Sequence, residues 1–311
     1  MLTMVNTTLG SKNRIVCVGE VMIEIVMTGT DTAAIGVAGD TFNAAVYLKH
    51  LLKSLDKTIS YCTALGKDSF STRILSKMSS YGIDTTNIEI RPDLIPGMYA
   101  IDTDEQGERY FSYWRSQSAA RTLFALPCQI EMRMLKDFDI IYISGISMAI
   151  LPATTRTTVL EFLGEYRKTG GLVAFDSNYR PQLWADIETA RRVTSAMWAL
   201  SDIALPSIDD EMALFGDTSE NAVIDRLRSS GVSYGALKRG ASGPLDLSLA
   251  TSKVDYAEVI NIIDTTAAGD SFNAGFLASY MRDETIGEAL QAGHGLASKV
   301  IQQKGAIVLG D

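Results

Sequence analysis

The fold and function of this chain are predicted mainly from one stretch, Asp264-Thr265-Thr266-Ala267-Ala268-Gly269-Asp270-Ser271-Phe272-Asn273-Ala274-Gly275-Phe276. It follows a β-branched run at residues 259–263, which predicts a strand, and it leads into a helix expected at about residues 270–280. The small residues at 267–269 allow the backbone to approach a ligand closely, and N–H groups at the start of a helix attract anions. The stretch therefore predicts an anion site where a strand ends and a helix begins.

Asp270 lies beside these N–H groups in the sequence. Free N–H donors next to a carboxylate suit phosphoryl transfer, because the donors can hold the moving phosphate while the carboxylate accepts a hydroxyl proton. A helix N-terminus is also expected to lower the pKa of such a carboxyl group. The alternative is an ordinary helix start with an acidic residue in its first turn.

The length of 311 residues would allow two domains, although a single α/β domain of this size is common. Hydrophobic residues make up 46% and charged residues 21%, enough for a substantial core. The 28 basic and 37 acidic side chains give a net charge of −9, which argues against a general surface for nucleic acid or anionic membranes. An anion site must therefore be built from local arginines, lysines and backbone N–H groups.

The three cysteines, Cys17, Cys62 and Cys128, have neither the spacing of a metal site nor that of a disulfide framework. The polar residues 1–14 lack the apolar run of a signal peptide, and no apolar run approaches the 18 residues of a membrane span. We therefore expect a cytoplasmic protein with no membrane partner and no nucleic-acid partner.

Strands and helices alternate along most of the chain, which predicts an α/β fold with a mainly parallel sheet covered on both faces. The strands are expected at residues 15–18, 21–26, 59–65, 98–103, 109–115, 139–144, 171–176, 203–205 and 233–238. Ligands on such sheets bind beyond the carboxyl ends of the strands. Polar and glycine-rich residues cluster at four of these ends: 144–146, 176–180, 238–243 and 264–270.

A second, smaller sheet is predicted from the strands at 98–103 and 109–115, which a polar turn at 104–107 would join. Alternate residues of a strand share a face, so Phe111, Tyr113 and Arg115 are expected to point the same way. Such a face could close over a bound carboxylate, or it could be the aromatic side of an ordinary surface hairpin.

The run Asp-Thr-Thr-x-Ala-Gly-Asp at residues 264–270 resembles the C-terminal signature of the ribokinase-like (PfkB) carbohydrate kinases. Residues 36–45, with Gly39, Asp40 and Asn43, are similar to the N-terminal signature of the same family. Ala267 stands where the family usually has glycine. The resemblance extends over nearly the whole chain and implies a three-layer α/β/α fold in one domain, 1–311, with a small β-sheet lid formed by about residues 21–38 and 93–118.

Several stretches resemble the branch of this family that phosphorylates 2-keto-3-deoxygluconate. They are Ala38-Gly39-Asp40-Thr41, Pro96-Gly97-Met98-Tyr99, Gly107-Glu108-Arg109, Tyr113-Trp114-Arg115, Ser144-Gly145-Ile146-Ser147 and Asn178-Tyr179-Arg180-Pro181. The resemblance implies ATP-dependent transfer of a phosphoryl group to the C6 hydroxyl, which gives 2-keto-3-deoxy-6-phosphogluconate. It further implies ATP and Mg²⁺ as cofactors, with a monovalent cation such as K⁺ as a further candidate, a small sugar acid as substrate, and a homo-oligomer.

Carried over by position, the resemblance assigns a role to each matching residue. The sugar acid would be held by Gly39, Asp40, Asn43, Tyr99, Tyr113, Arg115 and Arg180. Asp270 would be the base, and the N–H groups of Ala267, Ala268 and Gly269 would form the anion hole. The nucleotide would lie against Lys238, Gly240, Gly243, His294 and Ser298. The family's Asn-x-x-Glu reads Ile208-Asp209-Asp210-Glu211 here, so Glu211 alone remains as the metal candidate.

Two other functions remain open at the level of sequence. One is a kinase of the same family that acts on a neutral sugar such as fructose or ribose. The other is a sugar-binding protein on the same fold without catalytic activity. Arg115 and Arg180 favour the acid, because a guanidinium group is a planar donor that matches a carboxylate.

Overall fold

The computed structural model describes residues 12–103, 109–248, 254–257 and 259–309. Six strands, numbered in chain order, form a central parallel sheet. From one edge to the other they are β10 (Ile203–Ala204), β9 (Leu172–Asp176), β8 (Ile140–Ser144), β1 (Arg14–Val18), β4 (Thr58–Leu65) and β5 (Ile88–Ile90). All neighbouring pairs in this sheet are parallel, which confirms the predicted α/β architecture.

Each face of the central sheet is covered by helices. Side chains alternate along β1, so that Ile15 and Cys17 enter one hydrophobic core while Val16 and Val18 enter the other. The first core is covered by helices α1 (Asp40–Leu51), α2 (Ser69–Ser80), α8 (Ala268–Met281) and α9 (Ile286–Val300). The second is covered by α3 (Gly145–Ile150), α4 (Ala153–Lys168), α5 (Ile187–Leu200), α6 (Ile208–Phe215) and α7 (Glu220–Ser229). The three-layer arrangement is therefore present.

A separate four-stranded sheet, called the small sheet below, follows the order β3 (Thr32–Ala38), β2 (Met22–Gly29), β6 (Met98–Thr103) and β7 (Arg109–Trp114). β2 and β6 run parallel, and the two outer pairs are antiparallel. The predicted turn at 104–107 lies outside the described residues. The two short strands β11 (Ala236–Leu237) and β12 (Leu245–Asp246) pair with each other. In the described part of the chain, no helix combines the length and apolarity needed to cross a membrane.

The strand predicted at residues 259–263 is wrong. The residues of this run have no regular secondary structure, and Ile260 is 90% exposed. The backbone N–H groups of Ile263 and Asp264 both donate to the carbonyl of Ile301, at 2.8 and 3.1 Å. The run is therefore attached to the end of α9 rather than to a sheet edge, because β-branched residues form a strand only where a partner strand is available.

Candidate active site

The first turns of α1 and α8 meet at the carboxyl ends of the central strands. Asp270, in the first turn of α8, accepts a hydrogen bond of 2.8 Å from Nδ2 of Asn43 on α1. Oδ1 of the same asparagine accepts from the Gly39 N–H at 3.3 Å. A Cβ at Gly39 would lie 2.3 Å from the Glu20 carbonyl oxygen, so this close approach requires glycine. Three residues predicted from two distant signatures thus come together.

The Asp270 carboxyl group has a raised pKa. Its side chain is half-buried, and burial, followed by the nearby charge of Asp40, raises its pKa to about 8. The hydrogen bond from Asn43 and the positive charge of Lys238 each lower the pKa of Asp270, but they do not offset the rise. The lowering expected from a helix N-terminus is therefore wrong, because desolvation and a like charge outweigh the helix dipole at this position.

The residues of the predicted anion hole lie in the turn before α8 and in its first residues. Ala267 precedes the helix with φ of 59°, a left-handed conformation that glycine adopts more easily than alanine. The Ala268 N–H donates to the Thr265 carbonyl at 3.1 Å, whereas the N–H groups of Gly269 and Asp270 have no acceptor within the described part of the chain. Of the three predicted N–H groups, that of Ala268 is therefore engaged, whereas those of Ala267 and Gly269 have no acceptor among the described residues, and neither does that of Asp270.

Lys238 brings a positive charge to this turn. Its Nζ lies 2.7 Å from Oδ2 of Asp176 at the end of β9 and 3.1 Å from Oδ1 of Asn273 on α8. A Cβ at Gly269 would be 3.7 Å from the same nitrogen. The ammonium group thus lies against the proposed anion hole, although the sequence assigned Lys238 to the nucleotide side.

Asn273 and Asp176 are functional candidates to which the sequence gave no role. Nδ2 of Asn273 donates to Asp176 at 2.6 Å and to the Tyr142 hydroxyl at 2.9 Å. Both side chains are buried. Asn273 lies three residues after Asp270, which places both on one face of α8, and that spacing was a signal available in the sequence.

Asp40, the first residue of α1, is held near Asp270. Its Oδ2 accepts a hydrogen bond of 3.0 Å from Nδ2 of Asn178, which follows β9. Burial raises the pKa of Asp40, and the nearby charge of Asp176 adds to this effect. The carboxyl groups of Asp40, Asp176 and Asp270 therefore share one acidic pocket with the Lys238 ammonium.

The inner face of the small sheet carries the predicted aromatic residues. Tyr99 on β6 lies opposite Tyr113 on β7, with ring centroids 5.8 Å apart. Phe111 stacks on Tyr113 at 6.3 Å, and the Arg115 guanidinium lies 6.0 Å from the Tyr113 ring centre. The predicted shared face is confirmed. The Tyr99 hydroxyl donates to Glu24 at 2.5 Å, which fixes its orientation.

Glu20 is a buried partner of Arg115 that the sequence did not reveal. The two side chains form an ion pair, and the Ser118 hydroxyl donates to the same carboxylate. Burial raises the pKa of Glu20, although the Arg115 charge opposes this shift. Nε of Arg115 is buried without an acceptor among the described residues. Nη2, which forms the ion pair, likewise has no hydrogen-bond partner among the described residues, so the guanidinium is held by the charge of Glu20 and retains unfilled donor capacity.

Arg180 occupies a different environment from Arg115. Its side chain is 44% exposed and lies 3.4 Å from Oδ1 of Asp210. It also donates to the Tyr179 carbonyl at 2.8 Å. Within the described part of the chain, no ion pair joins Arg180 to Asp270, and its exposure places the side chain at the surface.

Two of the predicted nucleotide residues, Gly243 and His294, meet at Tyr256. Gly243 has φ of 73°, and a Cβ there would lie 2.3 Å from the Tyr256 ring. His294 on α9 contacts the same ring at 4.7 Å between centroids. Gly240 opens the turn that leads to Gly243, and Ser298 lies one turn after His294 on α9. Tyr256, which the sequence did not single out, thus links the two halves of this predicted surface.

Glu211, the metal candidate, is fully buried. Its Oε2 accepts from Arg226 at 3.0 Å and from the Trp198 indole at 3.3 Å. Burial raises its pKa to about 7. The described residues contain no group of three or more His, Cys, Asp or Glu side chains that could hold a metal ion. A direct contact between Glu211 and a metal has no support in this geometry.

A parallel α/β sheet whose strand ends bring a carboxylate, free helix N–H groups and a lysine together offers the groups that phosphoryl transfer uses. The profile of the pfkB family carbohydrate kinases matches residues 12–309. The chain belongs to this family.

Individual relatives agree with this membership. The chain is 41% identical to the 2-dehydro-3-deoxygluconokinase of Escherichia coli K12 over 302 residues, covering 95% of this chain and 97% of the relative. It is 40% identical to the enzyme of the same name from Dickeya dadantii 3937 over 299 residues, covering 94% and 96%. The crystal structure of fructokinase from Vibrio cholerae O395 with fructose, ADP and a calcium ion superposes with a TM-score of 0.82 at 21% identity, covering 96% of each chain.

Proposed function

We propose that this chain transfers the γ-phosphoryl group of ATP to the C6 hydroxyl of 2-keto-3-deoxygluconate. The observation that carries the proposal is the Asp270 carboxylate lying beside the free N–H groups of α8 and close to Lys238. The relatives at about 40% identity supply the substrate, since both carry the name of 2-dehydro-3-deoxygluconokinase.

The chemistry follows from this arrangement. The C6 oxygen attacks the γ-phosphorus, the bond from that phosphorus to the β–γ bridging oxygen breaks, and ADP leaves. Asp270 accepts the hydroxyl proton, and Asn43 holds its carboxylate in place. The N–H groups of residues 269 and 270 and the Lys238 ammonium stabilise negative charge on the moving phosphoryl oxygens.

Selectivity for a sugar acid would come from Arg115. Its guanidinium is paired with Glu20 and lies near the Tyr113 ring. Because its Nε is buried without a partner among the described residues, a small movement of the side chain would present this donor to a ligand carboxylate. A charge-assisted hydrogen bond contributes about 1.5–3 kcal/mol, or roughly 10–150-fold in selectivity. Arg180 at the surface could add a second contact after a side-chain rotation.

ATP would extend from the anion hole toward the surface formed by Gly243, Tyr256 and His294. The positively charged Lys238 and the free N–H donors fit its phosphates. The described residues supply no ready-made metal cage, so Mg²⁺ would be held chiefly by the phosphates, whose charge it neutralises when bound.

We also propose that the chain is one domain whose small sheet acts as a lid, formed by about residues 21–38 and 93–118. Its inner face carries Tyr99, Tyr113 and Arg115, and Tyr113 is 48% exposed. A ligand that covers these side chains would bury aromatic surface that now contacts solvent.

A coupled assay of ADP formation with Mg-ATP tests the proposal. We expect kcat/KM for 2-keto-3-deoxygluconate to exceed that for fructose or ribose by at least about 100-fold. Asp270→Asn should keep sugar-acid binding and lose about 10³-fold or more in kcat. Asp225→Asn, the same change on the exposed face of α7, is the matched control and should leave the rate unchanged.

The alternatives give different results in the same assay. Preferred turnover of fructose or ribose would identify a neutral-sugar kinase. Binding of the sugar acid without ADP formation from any sugar would identify a protein that is catalytically silent. Near-normal turnover in Asp270→Asn would mean that the base is another residue.

A further inference from the structure

A long-range ion pair joins the small sheet to the turn that forms the anion hole. Arg109, the first residue of β7, is paired with Asp264, and its Nη1 also donates to the Thr266 hydroxyl at 2.8 Å. The partners are separated by 155 and 157 residues in the chain. The function described above gives Arg109 no role.

Asp264 organises the turn that precedes α8. Its Oδ1 accepts from the Thr266 N–H at 3.0 Å, and its Oδ2 accepts from the Gly305 N–H at 2.7 Å. Although burial alone would raise the pKa of Asp264, these hydrogen bonds and Arg109 outweigh it and lower the pKa. The side chain, 1% exposed, is therefore a buried anion that Arg109 neutralises.

The contact with Thr266 acts directly on the anion hole. Thr266 precedes Ala267, which adopts the left-handed conformation from which the free N–H groups of α8 start. An alanine in this conformation persists only where its surroundings hold it. Arg109 donates to the Thr266 hydroxyl, and Asp264 accepts from the Thr266 N–H. Together they hold the residue that precedes Ala267, and therefore the left-handed conformation of Ala267, in place.

The same strand face reaches the other end of the substrate site. Four side chains at alternate positions share this face: Arg109, Phe111, Tyr113 and Arg115. The rings of Phe111 and Tyr113 stack on each other and lie between the two arginines along the strand. Six residues of extended chain span about 20 Å. One strand face thus contacts the anion-hole turn at one end and carries the proposed carboxylate ligand Arg115 at the other.

We propose that Arg109 is a positioning residue that fixes the anion hole only while the small sheet lies over the site. Phosphoryl transfer then depends on a contact that the lid itself supplies. The proposal rests on the proposed function for its reaction, but the ion pair with Asp264 does not depend on which sugar is phosphorylated.

Steady-state kinetics of the full-length protein with Mg-ATP and the sugar that the wild type prefers tests this proposal. Arg109→Ala should lower kcat by about 100-fold, because a misplaced anion hole affects the transition state. KM for the sugar should stay within about threefold, since Arg109 contacts none of the proposed sugar ligands. Arg109→Lys should recover part of kcat, because it keeps the positive charge but not the planar guanidinium group that reaches both Asp264 and Thr266.

Arg133→Ala is the matched control, since Arg133 forms an ion pair with Glu131 but is 75% exposed. It should leave kcat unchanged. The double variant Arg109→Ala/Asp264→Asn removes both charges, so that no buried charge is left unpaired. We expect its melting temperature to recover toward that of the wild type while kcat stays low.

Two results would overturn the proposal. One is a kcat for Arg109→Ala within about threefold of the wild type. The other is recovery of kcat in the double variant, which would show that the pair serves stability alone. Failure of the wild type to phosphorylate 2-keto-3-deoxygluconate would instead count against the substrate assignment, and the Arg109 comparison would then be made with the sugar that is accepted.

Discussion

At the scale of single residues, the raised pKa of Asp270 gives the reaction a distinct pH dependence. Burial and the Asp40 charge raise this pKa to about 8, and a base acts only when deprotonated. We expect kcat/KM to rise about tenfold per pH unit below about 8 and to level off above it. Asp40→Asn removes a like charge and should shift the rising part of the pH–rate profile to lower pH. A pH–rate profile with an unmoved rising part would contradict the assignment.

The same shift predicts a dependence of stability on pH. The folded-state pKa of about 8 lies above the ordinary value of 3.8, so between these values the folded protein keeps a proton that the unfolded chain releases. The contribution of the Asp270 carboxyl group to the free energy of unfolding is therefore complete below about pH 4, and it is lost as the pH rises to about 8. Asp270→Asn should raise the melting temperature at pH 8.5 and much less at pH 5, whereas Asp225→Asn should raise it at neither.

The residues that the sequence identified are those whose role depends on local backbone. Asp270 and Gly39 are recognisable because a helix start and a close approach constrain their neighbours. Glu20 and Tyr256 were missed, and Asp176 was placed at a strand end of the site without a role, because their roles arise from contacts across the fold, with Arg115, His294 and Lys238 respectively. The raised pKa of Asp270 could not be predicted either, since it depends on Asp40, which is 230 residues away in the sequence.

At the scale of elements, helices were predicted more reliably than short strands. The helix expected at 270–280 is α8, Ala268–Met281, because its apolar residues and small N-terminal residues are local signals. Residues 259–263 have the composition of a strand but lack a partner. β3 lies within the predicted lid segment 21–38 but was not recognised as a separate strand, because its alternation is weak and its N-terminal half is exposed. Whether such a segment forms a strand depends on the presence of a partner strand, which the local sequence does not reveal.

The packing of α8 on α9 predicts opposite effects for two glycine substitutions. A Cβ at Gly275 would lie 2.6 Å from the Ala292 carbonyl oxygen and 2.8 Å from Cα of Gly293, so Gly275→Ala must separate the helices. We expect a loss of roughly 1–3 kcal/mol. At Gly295 a Cβ meets nothing within 4 Å, and Gly295→Ala should stabilise α9 by about 0.5–1 kcal/mol.

Thermal or urea denaturation of the two glycine variants measures this difference. Since α8 also carries Asp270, the Gly275→Ala variant should lose activity together with stability, whereas Gly295→Ala should lose neither. Equal stability of the two variants would mean that the helices can separate without cost at Gly275.

At the scale of the whole molecule, the charges are arranged so that an acidic protein can bind anions. The net charge is −9, yet Lys238 and Arg115 lie inside the site and are each neutralised by a buried carboxylate. Buried pairs of this kind hold their cations in place before a ligand arrives, so binding an anionic ligand requires little rearrangement of charge. Overall charge therefore says little about the local field at the site.

The lid proposal predicts that ligands protect the small sheet from hydrogen exchange. Tyr113 and Phe111 are exposed while Tyr99 beneath them is buried, so closure over a ligand would shield β6 and β7. Amide exchange should slow in these strands when both the sugar acid and a non-hydrolysable ATP analogue are bound, and less with either alone. Helix α4, in the outer layer, is the internal control. Unchanged exchange in β7 with both ligands present would show that the small sheet is a fixed wall, and phosphoryl transfer would then need no closure.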